Sequence, residues 1–228
     1  MTPLYLYLLI ASVSGPIFLT IVFPDVIKNW GKFILSTTLI AAVFLVWDAI
    51  FTANGVWGFN DDYILGFSFF GMPIEEWLFF LVIPFCSIYL HFAIDRHFPN
   101  LKLGKNLTIY LTIILLVLLS IVLFMNLSKA YTAVNYSFLL LTMILGLIFH
   151  IKLLQQFYLT LIVILIPFLI VNGILTGVIT EEPVVWYNDA ENLGIRIITI
   201  PIEDIGYAFT MLFGNLMIFE TLRSKKSK

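Results

Sequence analysis

Charge is what this chain has least of. Only 11% of its 228 residues are charged and 61% are hydrophobic, with a mean hydropathy of +1.04. Soluble globular chains run near a quarter charged, so a soluble fold is excluded and length is counted in spans of about 20 residues. There is one cysteine, Cys86, inside an apolar run. No disulfide can form within the chain and no cysteine-based metal site exists. A net charge of −2 provides no basic footprint for nucleic acid. A GxGxxG turn and a phosphate loop are both lacking, so no flavin, nicotinamide or other cofactor is expected. The three histidines, His91, His97 and His150, lack metal-ligand spacing, and no metal is expected. No basic residue precedes the first apolar stretch, which is therefore expected to be a retained span rather than a cleaved signal.

What remains is apolar sequence in seven runs: Pro3–Phe23, Lys32–Thr52, Ile74–Ile94, Asn106–Asn126, Tyr131–Ile151, Gln155–Val178 and Ile202–Leu222. Each can cross about 30 Å of hydrocarbon as a helix. Ten of the twelve basic residues fall on alternate connections: Lys28, Lys32, Arg96, Lys102, Lys105, Lys152, Arg223, Lys225, Lys226 and Lys228. Only Lys129 and Arg196 fall on the others. Positive residues favour the cytoplasm, so the expectation is a multi-pass protein of the cell (inner) membrane, N-terminus outside and C-terminus cytoplasmic. The acids do the reverse and cluster at the outer ends.

The chain repeats itself. Pro73-Ile74-Glu75-Glu76-Trp77 reappears as Pro201-Ile202-Glu203-Asp204-Ile205, an offset of 128 residues from Pro73 to Pro201. The same offset aligns Asn60-Asp61 with Asn188-Asp189 and Leu65-Gly66 with Leu193-Gly194. Four helices separate the copies, so both run the same way across the membrane, a parallel repeat about an axis along the membrane normal. The fold expected is all-α: seven transmembrane helices in two parallel three-helix repeats, residues 1–98 and 129–228, joined by a linker helix within 99–128. The outer loops, Ala53–Met72 and Gly177–Ile200, are longer than ordinary connections and are expected to fold back over the duplicated motif.

A proline opening a helix is structurally ordinary, and so are acids in a first turn. Two copies at a membrane helix, however, point to function, because carboxylates there are costly. Asp48-Ala49-Ile50-Phe51-Thr52 aligns with Asn172-Gly173-Ile174-Leu175-Thr176, bringing one further polar group from each half to the same depth. Adjacent positions on a helix point about 100° apart, so one acid of each pair faces inward; Glu75 and Glu203, Glu in both copies, are the favoured ones. Crowded carboxylates can divide into a proton donor and a proton acceptor. Glu75, Glu76, Glu203, Asp204 and Asp48 are thus the candidates for acid–base work. Trp77, Phe79, Phe80 and Tyr207 are candidate walls whose rings can stabilise a cation, although lipid contact explains any single aromatic residue. Pro73, Pro201 and Asn172 complete the candidate substrate-binding set.

These residues resemble the integral-membrane lycopene cyclases of the heterodimeric type, whose signature is a proline–any–Glu–Glu/Asp motif opening a transmembrane helix, once per subunit. Pro73, Glu75 and Glu76 match it, as do Pro201, Glu203 and Asp204, and the chain looks like the fused form. The resemblance implies a lycopene β-cyclase, an intramolecular lyase or isomerase. Its substrate would be lycopene or a related acyclic carotenoid, closed into β-ionone rings by redox-neutral carbocation chemistry through γ-carotene to β-carotene. It also implies a lipid bilayer as its medium and other carotenoid-biosynthesis enzymes as neighbours. The alternatives are a C50 carotenoid ε-cyclase and a small proton-coupled transporter with intramembrane acids.

Overall fold

The computed structural model describes residues 3–224. Seven helices carry the fold: α1 (Leu4–Val22), α2 (Trp30–Ala53), α3 (Ile74–His97), α4 (Lys105–Met125), α5 (Ala130–Phe149), α6 (Ile151–Leu175) and α7 (Glu203–Ser224). All seven are long and apolar enough to cross a membrane. Helices are the natural form here, because hydrocarbon offers backbone groups no partner outside the segment. The chain is a multi-pass membrane protein. The largest displacement from the expected runs is at the start of α6, which begins at Ile151 rather than near Gln155, so that His150 alone connects it to α5; α6 also ends at Leu175 rather than Val178, and α3 runs on to His97 rather than Ile94. Lys152 does not stop the helix, because its long stem lets the ammonium reach the interface from the first turn.

The basic residues separate the two ends of the bundle. Lys28, Lys32, Arg96, Lys102, Lys105, Lys152 and Arg223 lie at one end; Lys225, Lys226 and Lys228 fall outside the described residues. Lys129 and Arg196 lie at the other, with six short strands: β1 (Trp57–Phe59), β2 (Ser68–Phe69), β3 (Met72–Pro73), β4 (Val185–Tyr187), β5 (Arg196–Ile197) and β6 (Ile200–Pro201).

The halves pack as a pair. α1 lies on α3 and α5 on α7, while α3 and α7 meet at the centre. The second helix of each half crosses over: α2 packs on α7 and α6 on α3. One buried polar contact sits in each crossed interface, Asn215 Nδ2 to Thr37 Oγ1 at 3.0 Å and His91 Nδ1 to Thr160 Oγ1 at 2.8 Å. Buried Phe44, Phe80, Phe157, Phe213 and Phe219 fill the space between. Of the apolar span of α7, 61% is buried against 11% for α1, so α7 is a core helix and α1 a lipid-facing one.

The two-fold relation is explicit in the strands. β1 and β4 pair antiparallel, with Trp57 opposite Tyr187, Gly58 opposite Trp186 and Phe59 opposite Val185. Gly58 and Trp186 are repeat equivalents, so the axis passes between them. The flanking bonds are reciprocal: Asn60 N–H donates to Val184 O and Asn188 N–H to Val56 O, both at 2.9 Å. Such exchange is the signature of an isologous contact. A Cβ on Gly58 would lie 2.3 Å from the Trp186 ring, so only glycine lets the ladder close.

Each outer loop then repeats the same devices. The side chains of Asn60 and Asn188 accept from Asp62 N–H at 3.0 Å and Ala190 N–H at 3.1 Å, making an Asx turn in each loop. Hairpins β2–β3 and β5–β6 follow, each leading into the third helix of its half. Their equivalent tips, Phe70 (φ 53°) and Ile198 (φ 60°), are both held in the left-handed region, which a bulky or β-branched side chain rarely adopts. The loops cover the ends of α3 and α7, as their length led one to expect.

Candidate functional site

The motif is built by the hairpin and the helix together. Pro73 ends β3 at φ −65° and caps α3. The next residue, Ile74, donates its N–H back across the hairpin to Phe67 O at 2.9 Å, and Ile202 does the same to Ile195 O at 3.0 Å. The first acid of each pair then reaches sideways into its own loop. Glu75 Oε1 accepts Leu65 N–H at 2.7 Å, and Glu203 Oε1 accepts Leu193 N–H at 2.7 Å together with the Thr132 hydroxyl at 2.7 Å. The following glycines, Gly66 (φ 82°) and Gly194 (φ 70°), turn the chain through the left-handed region so that the leucine N–H points at the carboxylate. Both glutamates are fully buried, and Oε2 of each has no hydrogen-bond partner.

The second acids, about 100° further round, face inward. Glu76 and Asp204 line one cavity of about 50 Å³ between α1, α2, α3, α5, α6 and α7, roofed by β1 and β4. The orientation expected from the sequence is therefore reversed: Glu76 and Asp204 face the cavity, while Glu75 and Glu203 face the loops. The reason is the tether: a loop N–H takes the first acid as its acceptor.

Glu76 Oε2 accepts the Tyr5 hydroxyl at 2.5 Å, and Asp204 Oδ1 accepts the Tyr131 hydroxyl at 2.5 Å. Beyond that matched pair the halves differ. Glu76 shares the cavity lining with the Asp48 carboxyl, and Asp48 Oδ1 accepts Trp57 Nε1–H at 2.5 Å and the Thr52 hydroxyl at 3.2 Å. Asp204 Oδ2 instead accepts Asn172 Nδ2 and the Tyr187 hydroxyl, each at 3.1 Å. Burial, then the nearby Asp204 charge, pushes the Tyr187 hydroxyl well above its ordinary value, so it acts as a donor. Among the described residues no Lys, Arg or His lines this cavity. Arg196 lies outside, paired with Asp189 at 2.5 Å.

Aromatic rings close the space. Trp57 stands edge-on to Tyr131 with centroids 5.2 Å apart, Tyr131 stacks on Tyr187 at 5.8 Å, and Tyr207 is 4.9 Å from Trp47. Phe79, Phe168 and Met211 supply the apolar wall towards the bundle centre. The arrangement is three carboxyls in a small aromatic chamber inside a membrane protein.

The chain matches the family model described as Lycopene cyclase over residues 3–94 and 128–222. It belongs to the lycopene cyclase family. The family's unit occurs twice in one chain, as in a fused cyclase, and α4 lies in the stretch between the two matched blocks. Comparisons with curated proteins and with solved structures gave no match.

Within this family member the sequence candidates separate into two groups. Asp48, Glu76, Asp204, Asn172, Phe79 and Tyr207 come together at the cavity. Glu75, Glu203, Pro73 and Pro201 are buried in the loop-to-helix joint. Trp77 lies outside, its ring against Phe69 and Phe70 at the β2–β3 tip, and Phe80 packs on Phe44 and Phe79 behind the wall. Sequence reasoning missed Tyr5, Tyr131, Trp57 and Tyr187. A signal existed for two of them: Tyr5 and Tyr131 each open the first helix of a half. Trp57 and Tyr187 become neighbours only through the β1–β4 ladder.

Proposed function

We propose that this protein closes the acyclic ends of lycopene into β-ionone rings, giving β-carotene through γ-carotene without net redox change. One observation carries the reading: Asp48, Glu76 and Asp204 share a buried aromatic cavity with no basic side chain in its lining. Ring closure needs an acid to protonate the terminal double bond and aromatic faces to stabilise the tertiary cation. The neighbouring alkene then attacks, and a base removes the ring-junction proton to leave a β ring. The acid and the base of this scheme come from these three cavity carboxyls. Glu75 and Glu203 hold the loops that roof the chamber, and Phe79 and Tyr207 contact the end group. The chamber is too small to take both ends of a C40 chain at once, so each end is closed in turn.

The organisation follows the same reading: residues 1–98 and 129–228 are the two cyclase units, and residues 99–128 carry the linker helix that joins them. The end bearing the strands and the cavity faces outward across the cell membrane, with the basic end in the cytoplasm. Family membership does not favour the transporter alternative. Expression in lycopene-accumulating cells, followed by pigment analysis, tests the assignment. Accumulation of β-carotene with some γ-carotene is expected; unchanged lycopene, or ε-ring products alone, would overturn it.

A further inference from the structure

The two halves hold their inward acids differently, and the difference lies at one pair of repeat-equivalent positions. Asp48 on α2 corresponds to Asn172 on α6, and each lines the cavity together with the inward acid of its own half. In the cyclisation proposed above, on which this inference rests, one acid gives a proton and another takes one back.

Donor and acceptor counting gives the direction. An indole N–H can only donate, and that of Trp57 is committed to Asp48 Oδ1, as is the Thr52 hydroxyl. Three carboxyls share one cavity lined by no basic residue, so their mutual repulsion keeps at least one of them protonated. Glu76 meets a single donor, the Tyr5 hydroxyl, against two on Asp48, and so it is the one that keeps its proton. Across the cavity the matching position is an amide. Asn172 donates to Asp204, and the Tyr131 and Tyr187 hydroxyls donate as well. Three donors and no acceptor meet Asp204, which suits an ionised carboxylate.

We propose that Glu76 delivers the proton to the substrate and Asp204 takes one back, with Asp48 and Asn172 as positioning residues that set this direction. The step balances. The Glu76 O–H bond breaks and a C–H bond forms at the less substituted carbon of the terminal alkene. The π pair of the neighbouring alkene forms the ring C–C bond on the resulting cation. The ring-junction C–H bond then breaks, its electrons become the ring double bond, and Asp204 gains the proton. Glu76 ends one proton short and Asp204 one ahead, so a proton crosses the cavity between turnovers and none is consumed.

Exchanging the two positions tests this. The purified full chain is placed in lipid vesicles with lycopene, and kcat and KM are measured for wild type, Asp48→Asn, Asn172→Asp and the double exchange. Asp48→Asn removes the carboxyl that keeps the proton on Glu76. Asn172→Asp places a carboxyl beside Asp204 and so leaves a proton there. Each single change should lower kcat by about 10²–10⁴ while KM stays near wild type, because proton transfer and not binding is lost. The double exchange mirrors the arrangement, with Asp204 now the donor and Glu76 the acceptor. It should run at least about tenfold faster than the better single variant, a coupling that independent structural defects do not produce. Losses that multiply in the double variant, or an Asp48→Asn enzyme with wild-type kcat, would overturn the proposal. If Asp48→Asn does not fold, folded Asn172→Asp decides alone: a kcat loss at unchanged KM supports the direction, and a wild-type kcat refutes it. A wild-type protein that leaves lycopene unchanged defeats the cyclase reading itself, whereas an active wild type with additive variants defeats only the direction.

Discussion

The assignment of Glu203 to a tether makes a prediction that separates shape from charge. Glu203→Ala removes the acceptor for two donors, the part-buried Leu193 N–H and the buried Thr132 hydroxyl, both held at 2.7 Å. Losing the bond to the part-buried N–H costs about 1 kcal/mol and leaving the buried hydroxyl unsatisfied about 1–2, for a total of about 2–3 kcal/mol. Glu203→Gln keeps a carbonyl oxygen where Oε1 sits, and Oε2 has no partner to lose, so its cost should stay below about 1 kcal/mol. Unfolding of the purified protein in mild detergent by a graded denaturant measures both. The alanine variant should also open the β5–β6 loop to proteolysis, while the glutamine variant should not. Equal destabilisation by alanine and glutamine would mean that the negative charge itself is needed, and the tether argument would fail. No effect from alanine would mean that Leu193 has another acceptor.

The turning glycines should respond in parallel: Gly66→Ala and Gly194→Ala meet no steric clash, so each should cost only the left-handed strain of about 1–2 kcal/mol, read by the same unfolding assay. Tyr5→Phe and Tyr131→Phe each remove one hydrogen bond to an inward acid. Each should lower kcat with little change in KM: by about ten- to hundredfold for Tyr131, whose bond to the ionised Asp204 is charge-assisted at about 1.5–3 kcal/mol, and by at most about tenfold for Tyr5, whose bond to the protonated Glu76 is worth about 0.5–1.5 kcal/mol. Reporter fusions after Lys105 and Lys152 should read cytoplasmic and one at Lys129 external, and an external signal at Lys105 would refute the proposed orientation. The exposed Asp189–Arg196 pair should survive mild acid. Partial burial disfavours the Asp189 charge, but hydrogen bonds from Arg196 and Asn192 outweigh it and hold the carboxyl below its ordinary value. Its contribution is complete above the unfolded carboxyl value near pH 4 and is lost only as pH falls through the lower folded value. An acid titration of Arg196 mobility should therefore show a change only below about pH 4.

Most of the fold is legible in the sequence because a membrane span is specified by length and composition, and seven runs meet both. The repeat is legible for a different reason: Asn60, Leu65-Gly66 and Pro73 recur at one offset because each performs a geometric task in its loop. That same logic explains why the inward acid is hard to choose. Identity between copies marks Glu75 and Glu203, yet they match because both tether an identical loop. The inward acids differ, Glu76 against Asp204, because their neighbours differ, Asp48 against Asn172. Tyr5 and Tyr131 are hidden for want of contrast, since a tyrosine near the end of an apolar helix is also what an interfacial belt contains. Trp57 and Tyr187 depend on a strand pair formed between loops of different halves, and no local pattern in either loop announces its partner.

In this scheme the inward acids transfer protons and the outward ones do not, so Glu76→Gln and Glu75→Gln should part company. Both variants keep size and hydrogen-bonding capacity, and both can be purified and given lycopene in lipid without added flavin or nicotinamide. The account predicts that Glu76→Gln loses about 10²–10⁴ of the wild-type rate of β-carotene formation, while Glu75→Gln stays within about tenfold of it. A Glu76→Gln protein that cyclises lycopene at the wild-type rate, with Glu75→Gln inactive, would contradict it.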